Sequence, residues 1–208
     1  GSKEYVKKLL FGLKNLVITK QSVSRVVRNV RDVSIYTDNG NKDDFDEVIL
    51  ACHSDQALNL VSNLDSKEKE ILEPFKYEKN KTTLHTDTSV LPNNQDIWAS
   101  WNYRIPINNK RKAMITYNMN KLQNIESDNT YCVSLNLDLK INKAKIIKEF
   151  EYEHPIFFPG ITEYQAQHKS LIRNNKLSYC GAYWGYGFHE DGVNSAVRVC
   201  ESYDLGLV

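Results

Sequence analysis

A glycine-rich stretch near the end of the chain has the residue types best suited to binding a flat, partly polar ligand. Residues 181–192 read GAYWGYGFHEDG and contain four glycines and four aromatic residues. Glycine lets the backbone come close to a ligand, and the N–H groups that begin a following helix favour an anion or a polar ring edge. The alternative is a plain strand-to-helix turn, which needs far fewer glycines and aromatics. The composition therefore favours a ligand site.

Three aromatic residues in the middle of the chain form a second candidate. Trp98, Trp101 and Tyr103 fall in a run that is predicted to be a strand over residues 97–103, and we expect them to share one face of it. Such a face is equally typical of core packing and of an apolar wall beside a substrate. The pattern leaves both interpretations open.

Other combinations of reactive residues are weaker. His53 with Asp55, and His85 with Asp87, share an i, i+2 spacing, but no third ligand accompanies either pair. Hydrogen-bonded structural pairs are the better interpretation, so no metal site is predicted. The sequence has no G-x-S-x-G motif, which argues against a hydrolase triad. No residue is identified as catalytic.

Charge and composition exclude several classes of function. Lys and Arg number 27 and Asp and Glu 26, so a net charge of +1 predicts no general attraction to nucleic acid or to an anionic membrane. The four cysteines form no CxxC pair, and no run approaches the roughly 18 consecutive apolar residues of a membrane span. We therefore expect a cytoplasmic protein without nucleic-acid partners or a membrane span.

Periodicity places the candidates on alternating strands and helices. A strand is predicted over residues 45–52, because its uninterrupted apolar centre at 48–51 fits a strand that is covered on both faces, as in a parallel sheet. A helix over 56–61 follows, with Ser54 or Asp55 as its cap. Asp65 and Glu68 form a capping box for a helix that ends before Pro74. Further helices are predicted over 3–13, 143–150 and 161–172, and a last one with Val193, Ala196, Val197 and Cys200 on one face. Further strands are predicted over 16–19, 23–30, 33–37, 81–87, 97–103, 113–119, 131–137 and 177–183.

This order of elements predicts a fold of mixed α/β and α+β class. An α/β start and an α/β end flank a β-rich middle, as in a sheet domain that is interrupted by an inserted one. Residues 1–62 and 161–208 would then form one domain. Residues 63–160 would form the other, around a mixed or antiparallel sheet with flanking helices.

Four blocks of sequence resemble one known family. The run GAYWGYGFHEDGVNS (181–195) is similar to the C-terminal flavin-binding segment of the flavin-containing amine oxidase superfamily, and within it to bacterial amine oxidase-like NAD/FAD-binding proteins. The blocks FDEVILACHSDQAL (45–58), LHTDTSVLP (84–92) and WASWNY (98–103) extend the resemblance in the same order along the chain. The resemblance implies that 1–62 and 161–208 form a partial FAD-binding domain and that 63–160 form a substrate-binding domain.

The resemblance also implies contacts with FAD. Backbone N–H groups at the start of the last helix would contact the pyrimidine end of the flavin, and the loop before it would pass the ribityl and pyrophosphate groups. The strand ending near Ala51 would border the cofactor, and a hairpin near Val23 would approach the adenine. The implied cofactor-binding residues are Val23, Ala51, His53, Gly181, Ala182, Tyr183, Gly185, Gly187, Phe188, His189, Glu190 and Asp191, and the implied substrate wall is Trp98, Trp101 and Tyr103.

Two features depart from the family pattern. Tyr183 stands where the superfamily commonly has an acidic residue, and the G-x-G-x-x-G fingerprint of a dinucleotide site does not occur in the chain. The chain is therefore expected to be the later part of a longer protein, with the missing N-terminal half as its partner and with weak or absent FAD binding on its own. The implied activity is oxidation of a C–N or C–H bond of a small molecule, with hydride transfer to flavin. The alternative is a non-catalytic binding module that folds but has no activity alone.

Overall fold

The computed structural model describes residues 2–13, 16–105, 114–137 and 139–206. Its helices are α1 (Ser2–Leu9), α2 (Ser54–Leu60), α3 (Ser66–Leu72), α4 (Met119–Gln123), α5 (Ile161–Gln165) and α6 (His189–Glu201). Its strands are β1 (Val23–Arg28), β2 (Val33–Thr37), β3 (Lys42–Phe45), β4 (Val48–Leu50), β5 (Lys76–His85), β6 (Trp101–Arg104), β7 (Met114–Asn118), β8 (Cys132–Leu135), β9 (Ile146–Ile156) and β10 (Leu177–Tyr179). This combination of several sheets and helices confirms the predicted mixed fold class.

The chain divides into two compact units. The central unit consists of Gly1–Lys8 and Lys79–His154, and the flanking unit consists of Leu9–Glu78 and Pro155–Val208. Each unit is therefore built from two separate parts of the chain, and the first eight residues belong to the central unit and not to the flanking one.

Two small sheets organise the flanking unit. Strands β1, β2 and β3 form an antiparallel sheet, and β4 pairs with β10 in parallel, with Val48 opposite Leu177 and Leu50 opposite Tyr179. The sequence predicted that the strands near 48–52 and 177–183 belong together, and this parallel pairing confirms it. The parallel pair lies in a core with α2 and α3 that includes the buried side chains of Ala57, Leu72 and Phe75.

A buried ionic network attaches α3 to this core. The capping box predicted at Asp65 and Glu68 is present, because each side chain accepts a hydrogen bond from the other residue's backbone N–H. The Glu68 carboxylate also accepts hydrogen bonds from both terminal nitrogens of Arg28, at 3.1 and 2.6 Å, and from the hydroxyl of Tyr179 at 2.8 Å. The Glu68 side chain is fully buried, so these donors compensate a carboxylate that would otherwise be costly to remove from water.

A five-stranded sheet organises the central unit. The strand order is β6-β7-β8-β5-β9, and the β6–β7, β7–β8 and β5–β8 pairs are antiparallel. One face of the sheet buries a polar chain in which His85 Nε2 lies 2.8 Å from Ser134 Oγ, and Ser134 Oγ lies 2.8 Å from Thr116 Oγ1. The backbone N–H of Asp87 donates to His85 Nδ1 at 3.1 Å, which leaves Nε2 as the donor to the serine.

Several predicted elements differ from the structure. Residues 16–19 form no strand, and β3, which carries the charged sequence KDDF, was not predicted as one. Residues 143–150 were predicted as a short helix but form a single 3₁₀ turn followed by β9. The reason is long-range, because residues of this segment pair with a strand distant in sequence, as in the Lys81–Glu149 contact of 2.6 Å.

Three other predicted elements are shorter, broken or capped differently. The strand over 45–52 contracts to β4, and Ile49 is 44% exposed rather than covered on both faces. The helix over 161–172 splits into α5 and a 3₁₀ turn at His168–Leu171, and the strand over 177–183 ends at Tyr179. His53 caps α2 instead of Ser54 or Asp55, since the Gln56 side chain accepts from the His53 N–H at 3.2 Å.

The last helix faces the core with different residues than predicted. Ser195 and Val199, four positions apart, are its buried side chains, whereas Val193 is 43% exposed and Cys200 is also exposed. Within the described ranges, no helix is long and apolar enough to cross a membrane.

Candidate functional site: the glycine loop and the start of the last helix

The carboxyl ends of the two parallel strands bring two predicted segments together. Ala51–His53 follow β4 and Cys180–Ala182 follow β10, and parallel strands end at the same edge of their sheet. The Cys180 N–H donates to the Leu50 carbonyl at 3.0 Å. A Cβ on Gly181 would lie 3.4 Å from the Cys52 carbonyl oxygen and only 2.5 Å from the Tyr183 ring. Gly181 is thus required for this close approach.

A single glutamine fixes the loop after β10. Gln165, on α5, donates from Nε2 to the carbonyls of Tyr183 at 3.0 Å and Gly185 at 2.6 Å. The Gly187 N–H then donates to the Ala182 carbonyl at 3.1 Å, and Gly187 has φ +88°, which favours glycine. We refer to residues 181–187 as the glycine loop. Gln165 was expected only on an amphipathic helix face, and nothing in its spacing indicated this role.

Asp191 joins the glycine loop to α6. Its Oδ2 accepts from the backbone N–H groups of Tyr186 at 3.0 Å and Phe188 at 2.9 Å. Gly185 makes room for this carboxylate, because a Cβ there would overlap it. The helix begins after Phe188, so His189, Glu190 and Asp191 form its first turn, whose N–H groups lack intrahelical acceptors and carry partial positive charge.

Ser195 connects the first turn of α6 to the end of β10 through two hydrogen bonds. Its hydroxyl accepts from the Gly181 N–H at 2.9 Å and donates to the Gly192 carbonyl at 2.7 Å. The residue is completely buried. Sequence reasoning did not identify Ser195, because its partner lies 14 residues away and only the folded loop brings them together. The start of α6 and the end of β10 are therefore held in one rigid arrangement.

The four aromatic residues of the loop divide into two groups. Tyr183 and Trp184 are 2% and 3% exposed and pack on Phe75, with ring centroids 5.0 and 5.3 Å away. Burial holds the pKa of the Tyr183 hydroxyl well above its usual range. Only Tyr186 and Phe188, 75% and 56% exposed, are available to cover a ring at the surface. The side chain of Tyr183 is part of the core. Only the backbone atoms of this residue are therefore available to a ligand.

A buried histidine supports the loop from below. His168 donates from Nε2 to the Tyr179 carbonyl at 2.7 Å, accepts at Nδ1 from Arg198 of α6 at 3.3 Å, and stacks on Trp184 with centroids 4.4 Å apart. Burial is the main reason that the pKa of His168 is lowered to about 4, and the nearby charge of Arg198 also lowers it. The hydrogen bond to the Tyr179 carbonyl partly opposes this shift. The imidazole is therefore neutral near neutral pH. This role was not predicted from the sequence.

The residues after β4 that we expected to border the cofactor also make other contacts. Ala51 is exposed, and His53 stacks on Tyr77 with centroids 4.2 Å apart and an interplanar angle of 11°. Burial raises the pKa of the Cys180 thiol to about 11 and also raises that of Cys52. Neither thiol is thus prepared to act as a nucleophile.

Val23 does not join this cluster directly. It is the first residue of β1, lies opposite Thr37 and is 38% exposed. It therefore belongs to the three-stranded sheet and not to the β4–β10 pair. In the described parts of the chain, no group of three or more His, Cys, Asp or Glu side chains could hold a metal ion.

Two of the three aromatic residues that we expected on one strand face lie on the same strand. Trp101 and Tyr103 lie on β6 at i, i+2 and are 50% and 62% exposed, with Trp101 edge-on to Tyr117 at 5.3 Å. Trp98, in contrast, precedes the strand, is half-buried and donates from its indole nitrogen to the Pro92 carbonyl at 2.7 Å. The reason is that residues 95–97 form a 3₁₀ turn, so that the strand begins only at Trp101.

Comparison with known proteins adds evidence about the fold. No protein-family model and no curated protein sequence matches the chain. Among solved structures, a putrescine oxidase bound to putrescine matches with a TM-score of 0.62 and 12% identity, over 98% of this chain and 52% of its own. A putative protoporphyrinogen oxidase from Exiguobacterium sp. 255-15 matches with 0.60 and 12%, over 95% and 50%. A reduced UDP-galactopyranose mutase matches with 0.60 and 11%, over 90% and 47%.

These matches define the fold and its extent. At 11–12% identity the likeness concerns the fold alone. The chain spans about half the length of these proteins.

Proposed function

We propose that this chain is part of an FAD-dependent oxidoreductase of the amine oxidase-like type. The observation that supports this most directly is the junction of β4, β10 and α6, where two parallel strand ends and a helix start converge on a glycine loop. Ligands of open α/β sheets bind at such strand ends, and helix starts attract electron-rich groups. The structural neighbours include two oxidases, which agrees with this class of activity.

The proposed contacts follow from what the loop exposes. Backbone N–H groups of His189, Glu190 and Asp191 would meet the pyrimidine end of the flavin, with Phe188 beside it. Gly181, Ala182 and the backbone of Tyr183 would lie along the ribityl and pyrophosphate part, held by Gln165 and Ser195. Ala51 and His53 would border the cofactor from the end of β4. Val23, on the separate three-stranded sheet, would approach the adenine through its backbone.

The residues present fit one end of FAD better than the other. The start of α6 supplies donors for a polar ring edge, and the glycines allow close approach. The pyrophosphate, however, is normally held by a G-x-G-x-x-G turn, and the sequence has none. The proposal therefore includes a dinucleotide-binding segment as a partner, and assigns residues 1–62 and 161–208 to cofactor binding and 63–160 to substrate binding.

The substrate class is proposed only at the level of bond type. Flavin supplies the redox chemistry when it is bound, so the protein needs positioning groups more than acids or bases. Trp101 and Tyr103 expose apolar rings that suit a wall beside a substrate C–H or C–N bond. Trp98 would support that wall from behind through its bond to Pro92. The proposed reaction is hydride transfer from such a bond to the flavin.

Flavin content tests the proposal. The 208-residue chain alone should purify without stoichiometric FAD, whereas the same chain within a longer protein that carries a dinucleotide-binding segment should retain one FAD per chain. Flavin absorbance after gel filtration measures both. Retention of one FAD by the isolated chain would show that the missing fingerprint is dispensable. A longer protein that folds, contains the fingerprint and still lacks flavin would contradict the proposed function and favour a non-catalytic binding module.

A further inference from the structure

The central unit contains a cavity that the proposed flavin contacts do not use. Its volume is 780 Å³, which is within the range of small-molecule sites. Five apolar side chains line it: Met114, Leu137, Leu139, Ile141 and Ile146. A ligand that buries hydrocarbon against such a lining gains about 25 cal/mol of binding free energy per Å² of apolar surface removed from water. The cavity therefore suits a ligand with an aliphatic portion.

The wall of the cavity is fixed by backbone hydrogen bonds. The Asn142 N–H donates to Asp87 Oδ2 at 2.8 Å, and the Thr86 N–H donates to the Lys145 carbonyl at 3.0 Å. A 3₁₀ turn at Lys143–Lys145 follows, with the Asn142 side chain as its cap. The segment from residue 139 to 146 is thus attached to the end of β5 by hydrogen bonds within the chain.

The lining is cationic as well as apolar. Lys81 is paired with Glu149 at 2.6 Å, so these two charges compensate each other. Lys140 and Lys143 also line the cavity, and neither is in an ion pair among the described residues, where Asp87 is paired with Lys145 at 3.8 Å. Asp87 lines an adjoining hollow with both lysines, so the positive charge of this region exceeds the negative charge. Two ammonium groups beside an apolar lining match an anionic head on a hydrocarbon chain.

We propose that this cavity binds a small aliphatic carboxylate, with its chain against the five apolar side chains and its head at Lys140 and Lys143. The site belongs to the central unit, and none of its lining residues is in the glycine loop or α6. The proposal goes beyond the flavin function and does not depend on it. It can therefore be tested on the flavin-free chain.

Chain length is the first test. Calorimetric titration of the 208-residue chain with hexanoate, octanoate and decanoate should give affinities that rise about three- to fourfold per methylene, as hydrocarbon burial predicts. Decan-1-ol, which lacks the charge, should bind about tenfold more weakly than decanoate. Equal affinity for hexanoate and decanoate would overturn the apolar part of the proposal. Equal affinity for decanoate and decan-1-ol would overturn the ionic part.

Charge reversal is the second test and has a matched control. Lys140→Glu and Lys143→Glu should each weaken decanoate binding about fivefold and leave decan-1-ol binding unchanged. Lys148→Glu makes the same charge change on β9, where the ammonium lies over the Phe150 ring and not in the cavity lining, and should change neither affinity. Equal weakening by Lys148→Glu would mean that only the net charge matters, and would overturn the site.

The apolar wall is tested by two further variants. Ile141→Asp should weaken both ligands about tenfold, and Leu139→Ala, a milder change, should weaken both about threefold, with folding checked by thermal melting. Unchanged binding in a folded Leu139→Ala protein would contradict the placement. The chain could instead bind a lipid surface through these lysines. If it sediments with phosphatidylglycerol vesicles and decanoate does not compete, the proposal is overturned.

Discussion

Gly185 and Gly187 are both needed by the glycine loop, but for different reasons. At Gly185 a side chain would displace the carboxylate of Asp191. At Gly187 the requirement is the backbone, since φ is +88° and a Cβ would meet Phe157 and Pro155 only at 3.5–3.6 Å, which is ordinary contact. A side chain at Gly187 would therefore strain the backbone and shift the loop without overlapping other atoms of the chain.

Replacement of Gly187 by Val tests whether the loop touches the cofactor. We expect the backbone strain to lower stability by about 2 kcal/mol and to reduce flavin retention in the longer protein. Gly40→Val is the matched control, because Gly40 has the same φ of +88° with nothing within 4 Å of its Cβ position. It should cost similar stability and leave flavin content unchanged. Equal flavin content in both variants would withdraw the cofactor assignments for residues 181–192.

Two neighbouring carboxylates in the first turn of α6 should behave differently. Asp191→Ala removes the acceptor for the Tyr186 and Phe188 N–H groups and should lower the free energy of unfolding by about 1–2 kcal/mol. Glu190→Gln changes an exposed side chain and should cost under about 1 kcal/mol through the helix dipole. Urea unfolding of the isolated chain measures both. A larger loss for Glu190→Gln would contradict the loop-anchoring role of Asp191.

At the scale of elements, β10, the 3₁₀ turn before it and α6 are connected through one imidazole. His168 bonds to the Tyr179 carbonyl, to Arg198 and, by stacking, to Trp184. Because these contacts need a neutral ring with one donor and one acceptor, protonation removes the acceptor that Arg198 uses. The link between strand and helix should therefore depend on pH.

The direction of this pH dependence follows from the lowered pKa. An unfolded chain takes up a proton on His168 as the pH falls through 6.5, while the folded chain does so only near pH 4. The stability that neutral His168 contributes is present in full above pH 6.5. It is lost as the pH falls from 6.5 to about 4, and the free energy of unfolding decreases by about 3 kcal/mol over this range. His168→Gln should be less stable than the parent at neutral pH, and the gap should close below pH 4. A gap that stays constant across this range in urea titrations would contradict the assignment.

At the scale of the whole molecule, the described residues include large apolar side chains that the chain leaves exposed. Among the described residues, β4 and β10 form a sheet of two strands, and Ile49 of β4 is 44% exposed. The solved structures of similar fold are about twice as long as the chain. We propose that the dinucleotide-binding segment covers this surface, which would explain why a strand with a fully apolar pattern has an exposed isoleucine.

Replacement of Ile49 by Lys tests this coverage. In the isolated chain the change should cost under about 0.5 kcal/mol, because the side chain is 44% exposed. In the longer protein it should lower the melting temperature and the flavin content, since the lysine would be buried without a partner. Val30→Lys, at a position 96% exposed in the turn after β1, is the control and should have neither effect. Similar results for both variants in the longer protein would show that the segment does not cover β4.

The sequence by itself determined the features that depend on local interactions. The capping box at Asp65 and Glu68, the helix that follows the glycine loop and the placement of the strands near 48 and 177 in one unit could all be predicted from residue types and spacing. The mixed fold class follows from the same patterns. These features rest on contacts within one or two turns, or on apolar runs long enough to specify a buried strand.

Only the tertiary structure decided which side chains the site can use. It buried Tyr183 and Trp184, removed Trp98 from the strand, turned residues 146–156 into β9 and placed Gln165, His168 and Ser195 under the glycine loop. Each of these outcomes depends on a partner far away in sequence, such as Phe75 for the two aromatics. A local pattern cannot specify such partners, because the same residue types are equally stable exposed or buried until the rest of the chain packs against them.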